Sequence, residues 1–295
     1  MRILALDIGG TAIKIGVIND GGEILESKEV PTLAKEGGEA LMNRILNIIS
    51  QYNDIDRIGI SSAGQIDTVE GKVVFANENL PGWTGVEIKR RIEKAFNIKT
   101  AVENDVNAAA IGEAYYGAAV EDKNFICLAY GTGIGGAIVE QGKIYRGSLG
   151  SAGEFGHIIT HAGGKNCACG GKGCYEAYAS TTALVSKVKE ELNFENIDGR
   201  AIFGMLEEGN EAIKRILNEW VFEITMGLVS LVHIFNPSCI VLGGGIMAQP
   251  YIIACIKENL YKHIMPNYQN VMVVNARLGN NAGILGAAHL AMELD

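Results

Sequence analysis

The sequence predicts an α/β protein of two lobes with a cleft between them, on three observations. Segments patterned like strands and like helices alternate along the chain with no low-complexity linker. A strand, glycine turn, strand pattern occurs twice, in RILALDIGGTAIKIGVIND and in FICLAYGTGIGGAIVEQG. Glycine is in excess, with 38 residues where average usage of about 7 % gives roughly 21. That excess sits in DIGGT, YGTGIGG, HAGGKNCACGGKGC and LGGGIM, where backbone must come close to something.

Each element follows from its local pattern. RILALDIG reads as a strand ending in a glycine turn, AIKIGVIND as its partner, and Gly21-Gly22 as the turn into a third strand. Between Gly37 and Tyr52, Leu41, Ile45, Ile48 and Ile49 recur at helical spacing. RIGISSAG is the next strand. A helix around Val86 to Phe96 leads to strand KTAVEN and the alanine-rich helix VNAAAIGEAYYG. The second lobe is expected to begin near Gly117.

Composition excludes several classes of function. The chain has 295 residues, 48 % of them hydrophobic, a net charge of −9 and a pI near 5.2. An acidic protein without a basic run repels phosphate backbones and anionic lipid surfaces, so neither nucleic acid nor membrane is an expected partner. Asp7 interrupts the first apolar run and no cleavage site follows, so no secretion signal is read. Glu223, His233, Asn236 and Pro237 break up the apolar region from Trp220 to Met247, so no uninterrupted run in it approaches the roughly 20 residues a spanning helix needs. A cytoplasmic protein is expected, and in a reducing compartment clustered thiols point to metal or redox chemistry. Cys127, Cys239 and Cys255 are scattered in apolar settings and read as inert core residues.

Glycine-rich turns after strands expose converging backbone N–H groups that hold phosphate oxygens. One such loop alone reads equally well as a tight hairpin turn, and there is no GxxxxGK[ST] and no GxGxxG opening a helix. Three loops with an acidic residue beside the first point to a nucleotide. Asp7, directly before Ile8-Gly9-Gly10-Thr11, is placed to hold Mg²⁺ beside the phosphates, usually through water.

DIGGTAIK, VENDVNAAAIGE, YGTGIGGAIV, and AGEFGH followed by CACGGKGCYE resemble, in order and over essentially the whole chain, the ROK family (repressors, open reading frames and kinases) of the sugar-kinase/actin-like superfamily. The resemblance implies two ribonuclease-H-like (actin-like ATPase) lobes, ATP in the cleft, and transfer of its γ-phosphoryl group to a sugar hydroxyl. It implies a small lobe over residues 1–116, rejoined by a C-terminal helix at about 282–295, and a large lobe over 117–281. It also implies a homodimer. Asp7, Gly9, Gly10, Thr11 and Lys14, with Gly131, Thr132, Gly133 and Gly243, Gly244 and Gly245, fall on the nucleotide motifs. Gly64, Asn79, Asn104, Asp105, Glu154, His157 and Glu176 fall on the sugar motifs.

Asp105 matches the catalytic aspartate. A sugar hydroxyl is a poor nucleophile, and a positioned carboxylate can orient it and accept its proton. The plainer alternative is that Asp105 caps the helix beginning near Val106, a role compatible with catalysis. For the sugar-contacting carboxylates, an ionised oxygen pair accepts hydrogen bonds from neighbouring hydroxyls.

His157, Cys167, Cys169 and Cys174, spaced H-x₉-C-x-C-x₄-C, match the family's zinc motif. One imidazole and three thiolates complete a tetrahedral shell and leave no open position for water, so a structural Zn²⁺ is expected. It would pin the loop that presents Glu154 and Glu176. His161 is a second histidine in the same stretch; the family motif favours His157.

Two positions depart from the family pattern: many members have proline where this chain has Ala63, and aspartate where it has Asn281. The motifs leave the sugar open, with glucose and N-acetylmannosamine leading, and N-acetylglucosamine, fructose, allose and β-glucosides as alternatives. A repressor of this family would carry a helix-turn-helix segment ahead of the phosphate strand, which here begins at Arg2. A non-catalytic sugar-binding protein is the other rival, against which Asp7, Asp105 and the glycine loops stand.

Overall fold

A computed structural model describes residues 1–295. In chain order the first elements are β1 (Arg2–Ile8), β2 (Ala12–Asn19), β3 (Ile24–Pro31), α1 (Gly38–Ile49), β4 (Arg57–Ser62), β5 (Gln65–Asp67), β6 (Lys72–Phe75), α2 (Ile88–Phe96), β7 (Thr100–Asn104) and α3 (Asp105–Tyr116). There follow β8 (Phe125–Tyr130), β9 (Ile134–Glu140), β10 (Lys143–Ile144), α4 (Glu176–Ala179), α5 (Thr181–Leu192), α6 (Gly199–Glu207), α7 (Glu211–Phe235), β11 (Cys239–Gly243), α8 (Pro250–His263), β12 (Met272–Asn275) and α9 (Ala282–Met292). Two compact units result. One comprises Met1–Lys123, Ala137–Ala152 and Arg277–Asp295, the other Asn124–Gly136 and Gly153–Ala276.

The first sheet has the order β3-β2-β1-β4-β7, with β1 antiparallel to β2 and parallel to β4, and β4 parallel to β7. β1 is buried almost end to end because it is covered on both faces. Successive side chains point to opposite faces of a strand, so Leu4, Leu6 and Ile8 enter a core with Leu41, Met42 and Ile45 of α1. Ile3 and Ala5 instead pack on Ile284, Leu285, Ala287 and Ala288 of α9. This packing places the C-terminal helix in the first unit.

α2 starts two residues later than the helical spacing from Val86 suggests. The cause is pairing: Glu87 bridges Lys72, and Val73 donates its N–H to the Val86 carbonyl, so these residues extend the β6 edge.

A second five-stranded sheet has the order β10-β9-β8-β11-β12, with β8, β11 and β12 parallel. In the second unit α7 buries Ile213, Ile216, Leu217, Trp220, Ile224, Leu228 and Leu231, the stripe that a period of 3.6 puts on one face. Its start and stop are chemically marked. Asn210 accepts the N–H groups of Ala212 and Ile213, while Asn236 takes a left-handed conformation directly before Pro237. No helix is long and apolar enough to cross a membrane.

Candidate active site and metal cluster

In the first unit, parallel pairing brings the carboxyl ends of β1, β4 and β7 side by side, with Asp7 opposite Ser61 and Ser62 opposite Asn104. Open α/β sheets bind ligands at such strand ends. Asp7 lies near the end of β1, where its Oδ1 accepts a 2.6 Å hydrogen bond from the Ser61 hydroxyl. Burial raises its pKa, and the Ser61 bond and the charge of Lys14, its cross-strand neighbour, lower it. Gly9 closes the following turn with an N–H bond to the Ala12 carbonyl, Gly10 lies beside Asn79, and the Thr11 carbonyl accepts the Thr32 N–H.

Asn104 and Asp105 occupy the junction of β7 and α3. The capping alternative is settled by the bonds: Asn104 is the N-cap, its Oδ1 accepting from Val106 N and Asn107 N at 3.0 and 3.1 Å. Asp105 is instead the first helical residue, and its Oδ1 accepts from Val106 N and from Asn104 Nδ2, both at 2.9 Å. Burial and the nearby charge of Asp7 push the Asp105 carboxyl up to about 7. Asn104 Nδ2 also donates to the Gly64 carbonyl at 2.9 Å. Gly64 itself sits at φ 104°, and a Cβ there would come within 2.6 Å of the Phe75 carbonyl. The neighbouring Ala63 donates its N–H to the Ile8 carbonyl at 3.0 Å. A proline at 63 would lack that donor, so alanine here permits a bond between this loop and β1 that proline would remove. Asn281, the other departure, precedes α9 without a side-chain cap bond.

In the second unit Gly131 and Gly133 close a tight turn, the N–H of Thr181 donates to the Gly131 carbonyl, and Thr132 is exposed. Gly244, at φ 100°, backs onto the Tyr130 carbonyl, so the Gly243–Gly245 loop lies next to the residue that leads into the Gly131 turn. Glu176 opens α4, and its Oε2 accepts from Ile134 N at 3.3 Å. Glu154 precedes the short turn Phe155–His157 and accepts the His157 N–H on its carbonyl.

Donor atoms of His157, Cys167, Cys169 and Cys174 all lie within 4.8 Å of one another. The chemistry of this set suits Zn²⁺. Glu176 borders it, with Oε1 accepting from Cys167 Sγ at 3.1 Å and lying 3.7 Å from His157 Nδ1. His161 lies outside the cluster, stacked on Tyr178 at 3.9 Å and facing Glu223. Burial, with Glu176 and the neighbouring thiols, pushes Cys167 up to about 12, and burial raises Cys174, whereas the Gly171 amide lowers Cys169. Loading a metal on three thiolates therefore releases protons. Of the remaining cysteines, Cys127 and Cys239 are buried as the sequence suggests, while Cys255 is only half-buried.

The family model described as the ROK family matches residues 3–294. The chain belongs to the ROK family. Among its curated relatives is a glucokinase of Thermotoga maritima, 32 % identical over 99 % of this chain and 98 % of the relative. Among solved structures, a ROK family glucokinase from Streptomyces griseus in complex with glucose and AMPPNP is 31 % identical, with a TM-score of 0.87 over 100 % of both chains. A putative N-acetylmannosamine kinase from Listeria monocytogenes is 28 % identical, with a TM-score of 0.89 over 99 % of both. The two α/β units of this ROK protein thus carry the actin-like fold of the family's sugar kinases.

Two residues of the Asp7 environment escape the motifs. Ser61 becomes its hydrogen-bond donor only because β4 pairs with β1 across 54 residues of sequence. Gly283, in the first turn of α9, lies so close that a Cβ would stand 2.7 Å from the Asp7 carboxylate. Any side chain at 283 would displace Asp7. Only the SSAG strand end hints at the first, and no local signal marks the second.

Proposed function

We propose that this ROK protein is an ATP-dependent sugar kinase that phosphorylates the 6-hydroxyl of a hexose or N-acylhexosamine, with glucose and N-acetylmannosamine as leading substrates. The observation that carries the reading is Asp105: a carboxylate held by Asn104 and Val106 at a strand end, with its pKa raised to about 7. A general base works best with a pKa near the operating pH. In this reading Asp105 orients the terminal hydroxyl and takes its proton as the oxygen attacks the γ-phosphorus of ATP, while the bond from that phosphorus to the β,γ-bridging oxygen breaks and ADP leaves with its electron pair. Asn79, Asn104, Glu154, His157 and Glu176, with the Gly64 backbone, hold the ring, so that regiochemistry follows from geometry. The three glycine loops at 9–11, 131–133 and 243–245 supply backbone donors to the nucleotide.

Asp7, with Ser61 and Lys14 beside it, is the residue that would hold Mg²⁺. That ion, when bound, neutralises charge on the phosphates. His157, Cys167, Cys169 and Cys174 would hold a structural Zn²⁺, which stiffens the loop ending at Glu176.

A panel of sugars with ATP and Mg²⁺ tests the substrate assignment. Glucose or N-acetylmannosamine should give the highest kcat/KM, ahead of fructose, allose, N-acetylglucosamine and a β-glucoside, and 6-deoxyglucose should bind without releasing ADP. ADP release that no sugar stimulates would sink the proposal.

A further inference from the structure

Glu103 is a carboxylate only 1 % exposed, one residue before Asn104 and two before Asp105. Its position on β7 does not call for a charge. Ala101, two residues earlier and on the same face, packs against the apolar cluster of α9, and an aliphatic side chain at 103 would extend that surface. Burying a carboxylate is costly unless it is paired and hydrogen-bonded, and replacing a buried ion pair with apolar residues is often neutral or stabilising. The pair is therefore poorly explained by stability alone.

Its bonds converge on the first turn of α3. Glu103 Oε1 accepts from the Asn104 backbone N–H at 2.9 Å and from Asn107 Nδ2 at 3.1 Å, while Oε2 accepts from the guanidinium of Arg146. Helix capping does not need these bonds, because Asn104 Oδ1 already accepts the N–H groups of Val106 and Asn107. Glu103 instead grips the chain on both sides of Asp105, by the amide before it and by the Asn107 side chain after it. With Asn104 so held, its Nδ2 is left to join the Gly64 carbonyl to the Asp105 carboxylate. Arg146 belongs to the same unit and is carried by a closed turn in which its carbonyl accepts the Ala152 N–H at 3.1 Å.

We infer that Glu103 and Arg146 are positioning residues: a buried ion pair that fixes the first turn of α3 and thereby orients Asn104 and Asp105 toward the sugar. The inference rests on the kinase reading above. Neither residue touches substrate; both act through Asn104 and Asp105.

Steady-state kinetics of Glu103→Gln, Arg146→Met and the double variant, together with amide exchange of the peptide covering residues 102–110, test it. Glu103→Gln keeps an acceptor for Asn104 and Asn107 and leaves no unpaired buried carboxylate, so it is the variant expected to fold. Its kcat should fall about tenfold and its sugar KM rise several-fold, with the ATP KM within about twofold of wild type. The double variant should be no worse than the weaker single variant, because the two side chains act as one unit. Exchange at Val106 and Asn107 should quicken in Glu103→Gln whether or not sugar is present. Less folded protein with both KM values unchanged would mark the pair as merely structural and overturn the inference, as would single losses that multiply in the double variant. A wild type that phosphorylates no sugar would defeat the kinase reading, and unchanged exchange in both single variants would separately defeat the pair.

Discussion

Asp105→Asn is expected to lower kcat by roughly 10²-fold or more while changing sugar affinity less, and at the same time to make the protein more stable at pH 8. Asparagine keeps an Oδ1 to accept from Val106 and Asn104 and removes the proton acceptor. The stability gain follows from the carboxyl's raised pKa, about 7 in the folded chain against an ordinary 3.8. Between those values the folded state binds the proton more tightly than the unfolded state. Raising the pH therefore strips a proton that favours folding, and the cost, on the order of 2–4 kcal/mol, is complete above the folded pKa. The variant does not bear this cost. In buffer without Mg²⁺ or nucleotide, its thermal midpoint should lie closest to wild type at and below the ordinary carboxylate value of 3.8, pull ahead as the pH rises from there toward about 7, and exceed wild type by several degrees at pH 8. Melting curves across that range read the difference, and a gap that stays constant with pH would refute the assigned electrostatics. Near-normal turnover would refute the role of Asp105 as base.

The second large effect concerns the metal. Residues 161–172 contain no buried side chain, and their order rests on a few turn bonds such as Cys167 N to the Gly171 carbonyl and Gly173 N to the Lys165 carbonyl. A segment without apolar burial gains little from the hydrophobic effect, so a cross-link through four ligands should decide its conformation. Purified protein should contain about one zinc per chain, and Cys169→Ser should retain little of it. Because Glu176 lies against Cys167, metal loss should raise the sugar KM by about tenfold or more and leave the 157–174 peptide open to amide exchange. Elemental analysis that finds no zinc in protein never exposed to a chelator would overturn the assignment.

Legibility in the sequence tracked the range of the interaction. β1 announced itself through a run of apolar residues ended by glycines, and α1 through Leu41, Ile45, Ile48 and Ile49 at helical spacing, because strand burial and helix periodicity are local patterns. The sulfur ligands were legible for the same reason, as three cysteines lie within eight positions. What the sequence hid is what topology assembles. Ser61 reaches Asp7, and Arg146 reaches Glu103 across 43 residues, only after the strands have paired and the loop has closed. The roles of Asn104 and Asp105 were ambiguous for another reason: both residue types cap helices well, and only the bonds to Val106 and Asn107 assign the cap to Asn104. Gly283 lay unmarked among the glycines and alanines of a helix, since its importance comes from the carboxylate that the fold sets against it.

Phosphoryl transfer by this protein should be directed to one hydroxyl by a carboxylate base. The most direct test is to incubate wild-type protein with ATP, Mg²⁺ and ¹³C-labelled glucose or N-acetylmannosamine and to locate the phosphate by the carbon–phosphorus couplings in the product spectrum. A single product is expected, with phosphate on the oxygen of C6, absent when Asp105→Asn replaces the wild type over the same interval. Phosphate on C1, or no phosphorylated sugar at all, would contradict it.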